Sequence, residues 1–181
     1  MTTEKLTNPP GSAMNTDDKQ HISSVRDDVM RWFFDDYLPT WVGVGAGTIS
    51  RGPEFILDYW SVPLHFSDGA NAGWLSDDAS VAGFLAQIQA RLKQHGYSHT
   101  EVPDQDVRIY SDTGAAIEVI WSRRSDDREI ERVAAHFEIG RGPLGWRIVG
   151  VQTSPTSASS LAEAWPQRSR RMTYRSETRT S

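Results

Sequence analysis

An α+β fold, with helices first and an antiparallel sheet after them, is what this sequence predicts. Three observations carry that expectation. Apolar residues recur at helical spacing in two stretches before residue 96. From residue 99 onward the period drops to 2. The turns between the later apolar runs, "SDTG", "RSDDR" and "GRGPLG", are short enough to require antiparallel neighbours. Helices segregated from an antiparallel meander argue against a parallel α/β sheet.

In chain order, residues 1–21 read as a flexible arm, since "NPPGS" is turn-forming or extended and no apolar period runs through it. A first helix is expected near Ser24, where Ser24 and Asp27 make an S-x-x-D capping signal. Val25, Val29, Trp32 and Phe33 then fall on one helical face, with Tyr37 extending it. Pro39 is expected to kink or end this helix, and "GVGAG" to stop any continuation. A short helix should follow Pro53, and "SVPLHFS" should be a strand that Pro63 pushes to a sheet edge. "WLS" reads as a second short strand. Ser76 is the expected cap of a helix whose apolar face is Val81, Phe84, Leu85, Ile88 and Leu92, stopped by Gly96. Four long strands follow, at about 99–111, 115–124, 129–140 and 145–153. If the third hairpin carries no bulge, Ile117, Val119 and Trp121 share a face with Val133, Ala135 and Phe137, and Glu118 lies opposite His136. One face should meet the helices, and the other a partner subunit.

Composition narrows the classes. The chain has 181 residues, a net charge of −5 and no cysteine. A disulfide scaffold, a thiolate metal site and a cysteine nucleophile are excluded, and a cytoplasmic location fits. No apolar run reaches the roughly 18 residues of a membrane span, and the first twenty residues carry no apolar core of a secretory signal. The negative balance argues against a general nucleic-acid surface. Residues 155–181 hold five arginines against two acids, so this tail is basic while the remainder is acidic. It reads as a disordered tail with the capacity to touch an anionic partner, leaving 22–154 as the folded domain.

The aromatic helix "VMRWFFDDYLPTWVGVGAG", then "ILDYWSVPLHFS", the helix after "WLSDD", and "IEVIWSRR…AAHFEIGRGPLGWRIV" together resemble the nuclear transport factor 2-like superfamily, in its SnoaL-like and ketosteroid-isomerase-like branch. The resemblance spans roughly residues 24–153. It implies a cone-shaped curved antiparallel sheet packed against three N-terminal helices, a pocket between them, and a homodimer through the sheet. Its members include isomerases, dehydratases, cyclases, hydrolases and non-catalytic binding domains, so the fold alone does not set the function.

In enzymes of that kind an acid–base pair sits in a largely apolar cone. The candidates here are His65, Asp58 and His136 for proton transfer. Trp32, Tyr37, Tyr59, Trp121 and Glu118 are the candidate ligand-binding residues. Glu118 and His136 would form a carboxylate–imidazole pair. Each has a plainer reading as a core, helix-end or interface residue. "GVGAG" follows a helix rather than a strand and is no dinucleotide turn. His95 and His99 lack a third ligand, so no metal site is expected, and "SRRSDDRE" reads as a charged hairpin tip. The expected function is binding of a small, largely apolar molecule without a cofactor. Acid–base chemistry of the isomerase, dehydratase or cyclase type would be one form of it. A non-catalytic binding or dimerisation module, or an adaptor using the arginine-rich tail, is the alternative.

Overall fold

The computed structural model describes residues 16–165 apart from position 127. The helical side begins with α1 (Thr16–Met30), which runs without a break through a π-helical stretch, Arg31–Tyr37, into α2 (Leu38–Ala46). The expected start at Ser24 is therefore corrected. Ser24 is exposed inside the helix, and the preceding turn has no buried apolar residue to mark it, since even Ile22 is exposed. Pro39 does not end the helix either. The ladder widens just before it, with the Leu38 N–H donating to the Phe33 carbonyl. A proline interior to a helix removes one donor and crowds the preceding turn, and a wider turn is a way to accommodate both. Gly47, at φ +79°, closes α2.

A 3-10 turn, Pro53–Asp58, leads into β1 (Trp60–Ser67) and β2 (Ala72–Leu75). The third helix, α3 (Asp78–Gln94), is capped one residue later than expected. The Asp77 side chain accepts from the Ser80 N–H at 2.7 Å, and the Ser80 hydroxyl accepts from the Asp77 N–H at 3.2 Å. Val81, Leu85 and Leu92 are buried along one side of α3, with Phe84 and Ile88 half-buried beside them.

The four long strands are β3 (His99–Ser111), β4 (Gly114–Ser125), β5 (Arg128–Gly142) and β6 (Gly145–Pro155). With β1 and β2 they form one six-stranded sheet in the order β2-β1-β6-β5-β4-β3. The β4–β5 register is the expected one: Ile117, Val119 and Trp121 oppose Phe137, Ala135 and Val133, and Glu118 opposes His136. Two expectations about the first strand change. β1 pairs with β6 in parallel, so the sheet is not wholly antiparallel, and β1 lies inside the sheet between β2 and β6. Pro63 is tolerated there because the β1–β6 pairing is interrupted between Trp60 and His65, where a missing N–H breaks no ladder bond.

The inner face of the sheet packs on the helices. Phe33 stacks over Trp121 at 6.1 Å between centroids and meets Phe137 edge-on at 5.1 Å. On the outer face, the chain after β6 turns back over the sheet and ends in a single turn, α4 (Leu161–Ala164). Leu161 is buried against Ile120 and Ala134, and its N–H donates to Asp104 at 2.8 Å. The boundaries expected at 21/22 and 154/155 thus fall inside continuous structure. The remainder of the expected arm and of the basic tail, including all five of the tail's arginines, lies outside the described residues.

Candidate functional site

Strand alternation decides which side chains enter the space between sheet and helices. On β4, Trp121 and Arg123 point inward; on β5, Phe137, Val133 and Glu131; on β6, Val151, Thr153 and Pro155. Tyr37, Leu38 and Trp41 reach it from the helical side, and Phe84, Gln87, Ile88 and Arg91 from α3. Trp60, Phe66 and the turn at residues 67–70 complete the wall. Together they enclose a cavity of about 660 Å³, within the range of about 300–1,000 Å³ usual for small-molecule sites.

The cavity is graded. Tyr37, Trp60, Trp121 and Phe137 line it and are buried, whereas Asp68, Gly69, Ala70, Gln87 and Arg91 line it and are exposed. The exposed set marks the mouth, and the aromatic set the floor. At the floor, the Trp60 indole N–H donates to the Tyr37 hydroxyl oxygen at 3.2 Å. Burial pushes the Tyr37 phenol well above its ordinary value, and the Trp60 N–H and the Arg123 charge only partly offset this. Tyr37 is therefore a neutral phenol whose hydrogen is available to a ligand acceptor.

Nearer the mouth stands an ion network. Glu131 accepts from both Arg91 and Arg123. Arg91 is half exposed, whereas Arg123 and Glu131 retain 12% and 19% side-chain exposure. The Arg123 guanidinium lies over the Trp41 ring, 5.0 Å from its centroid. Burial raises the Glu131 carboxyl, but the hydrogen bond from Arg91 and the charge of Arg123 outweigh it, so the group sits below the usual carboxylate range. Close by, the Tyr97 and Thr100 hydroxyls share a hydrogen bond at 2.6 Å.

A family model described as "NTF2-like protein (DUF6841)" matches residues 26–156. The chain belongs to this NTF2-like family. Solved structures agree on the fold. An NTF2-like protein with a cystatin-like fold from Novosphingobium aromaticivorans is 15% identical with a TM-score of 0.55, over 83% of this chain and 96% of that one. A DUF3225-family protein of unknown function from Pectobacterium atrosepticum is 15% identical at a TM-score of 0.53, over 75% and 93%. A putative calcium/calmodulin dependent protein kinase II association domain from Xanthomonas campestris is 11% identical at 0.52, over 71% and 86%. Identities this low show the fold alone. No curated protein matches the chain in sequence.

Within this NTF2-like domain, Tyr37 and Trp121 line the cavity. Trp32 and Tyr59 stand one layer behind. Trp32 stacks on Tyr37 at 6.2 Å, and the Tyr59 hydroxyl donates to Asp36 at 2.8 Å. The three residues proposed for proton transfer do not line the cavity. Asp58 is exposed and ion-paired with Arg51 at 2.6 Å. His65 faces the outer side of the sheet, because its neighbours Leu64 and Phe66 take the inward positions, and it packs on Trp74 with centroids 5.1 Å apart. His136 and Glu118 do meet, at 3.2 Å, but likewise on the outer face. Arg123 was hidden in what reads as a hairpin tip, and Glu131 lies two residues beyond it. Strand parity was the signal that marks them, since each lies two residues from an inward-facing one, Trp121 and Val133. Among the described residues no group of three or more His, Asp or Glu side chains is placed to hold a metal ion, and no helix is long and apolar enough to cross a membrane.

Proposed function

We propose that this NTF2-like domain binds a small, largely apolar molecule in the cavity between α3 and the inner face of the sheet. The observation that carries the reading is the cavity itself: about 660 Å³, floored by Tyr37, Trp60, Trp121 and Phe137, with its charged side chains away from that floor and an exposed mouth. Sites of this build hold ligands by apolar burial and orient them with a small number of placed donors. Tyr37 is one such donor. Proton-transfer chemistry has weaker support, because Asp58, His65 and His136 stand away from the cavity and Glu131 is held ionised by two arginines. Tyr37 would serve such chemistry by donating a hydrogen bond to a developing oxyanion. A homodimer, if formed through the sheet, would use the part of the outer face around His65, Trp74 and His136 that α4 leaves uncovered.

The test is titration with N-phenyl-1-naphthylamine, a neutral apolar dye whose emission rises in a dry site. Saturable binding with one site per chain is the expected result. Ile88→Trp, which fills the cavity from α3, should abolish it while the far-ultraviolet circular dichroism stays unchanged. Equal binding by this variant would place the dye elsewhere and remove the reading.

A further inference from the structure

The polar groups at the mouth of the cavity specify more than a polar rim. Arg91, Arg123 and Glu131 form a cluster of two cations and one anion, so it carries one net positive charge. Among the described residues, the other charged side chain lining the cavity is Asp68. It is exposed, and its Oδ1 is held by the backbone N–H groups of Ala70 and Asn71, on the far side of the opening beyond β5 and β6. Arg123 has one terminal nitrogen donating to Glu131 and its face on Trp41. A guanidinium offers five donors. Its Nε is buried without a partner among the described residues and out of a ligand's reach, so what Arg123 offers the cavity is its charge and its terminal nitrogens. The floor, by contrast, is aromatic and holds no charged residue.

From this gradient we infer that the cavity takes an amphiphilic monoanion: a carboxylate on a compact apolar body that enters body first and leaves its carboxylate at the mouth, against Arg91 and Arg123. The inference rests on the proposed binding function and names the ligand's class. The apolar body occupies the floor. The carboxylate shares the two guanidiniums with Glu131, where a partly desolvated cation favours an anion more than it would in bulk water. Glu131 sets how strongly. It neutralises one of the two cations and so limits the site to a single negative charge.

The experiment compares 2-naphthoate with its neutral counterpart 2-naphthamide by isothermal titration calorimetry on the full chain. The naphthoate should bind about tenfold more tightly, the scale of one charge-assisted contact at a partly exposed site, and the gap should narrow as salt is raised. Arg91→Met, at an exposed helical position, should close most of that gap, with naphthoate losing far more affinity than naphthamide. Glu131→Gln should do the opposite and strengthen naphthoate binding about tenfold, an effect that a purely structural ion pair would not produce. If naphthamide binds as well as naphthoate, or if Glu131→Gln leaves their ratio unchanged, the anion assignment is wrong while the apolar binding site stands. If neither the two probes nor the neutral dye bind, the binding function itself fails and the ligand class falls with it.

Discussion

Glu131 accepts hydrogen bonds from Arg91 and Arg123 at once, and this gives the stability of the chain a pH dependence with a definite sign. Its folded value lies below the ordinary 4.5. A depressed carboxylate stabilises the fold above the unfolded value, and that contribution is lost as pH falls through the folded one. Glu131→Gln should therefore cost about 1–2 kcal/mol near neutral pH, discounted for the exposure of Arg91. The difference from the unmodified chain should shrink toward zero below the carboxylate range. Urea midpoints measured from neutral to acidic pH check this, and a difference independent of pH would refute the charge assignment. At this scale the sequence was legible wherever strand parity was followed through. The unbulged register puts Trp121 and Val133 on one shared face, which the structure shows to be the inner one, and two residues away along each strand stand Arg123 and Glu131. His65 was assigned to the cavity by its position in the chain, although Leu64 and Phe66 already claimed the inward positions of that strand.

Helix α3 shows an element whose face could be read outright. Val81, Leu85 and Leu92 are fully buried, and Phe84 and Ile88, offset around the helix, line the cavity instead. One apolar stripe thus serves both the core and the binding wall. Leu85→Ala should cost about 2–5 kcal/mol, the range for a buried leucine truncation, measured by chemical denaturation. A change within about 0.5 kcal/mol, the scale of a surface site, would overturn the face assignment. The first helix was legible only in its buried half. Val25, Val29 and Phe33 carry the apolar period, whereas the turn before them is polar and exposed and gives no periodic signal. The passage through Pro39 was not legible, because a π-helical turn keeps the helix going where an α-helical ladder would be broken. The parallel pairing of β1 with β6 had no local signature either, since nothing in "SVPLHFS" says which distant strand it will join.

For the whole molecule, the two sheet faces are covered by different parts of the chain. The inner face meets the helices and the cavity; on the outer face, Ile120 and Ala134 are covered by Leu161 of the returning C-terminal segment. That cover comes from a stretch whose composition reads as tail, because its contribution rests on one buried leucine rather than on a period. Its attachment is polar as well as apolar. Asp104 accepts from the Leu161 N–H, and the Arg132 guanidinium donates to the Ala158 carbonyl at 3.3 Å. Ending the chain at Pro155 should remove these contacts and expose Ile120 and Ala134, compared with a chain ended at Trp165. Re-exposing one buried leucine and its apolar bed costs about 2–3 kcal/mol, which lowers the melting temperature by about 5–10 °C for a domain of this size. The uncovered patch lies beside the open part of the outer face, so the shorter chain should also self-associate more strongly, as read by sedimentation velocity across a concentration series. If the Pro155 chain melts and sediments like the Trp165 chain, the segment rests on the sheet without stabilising it, and the outer face needs no cover from its own chain.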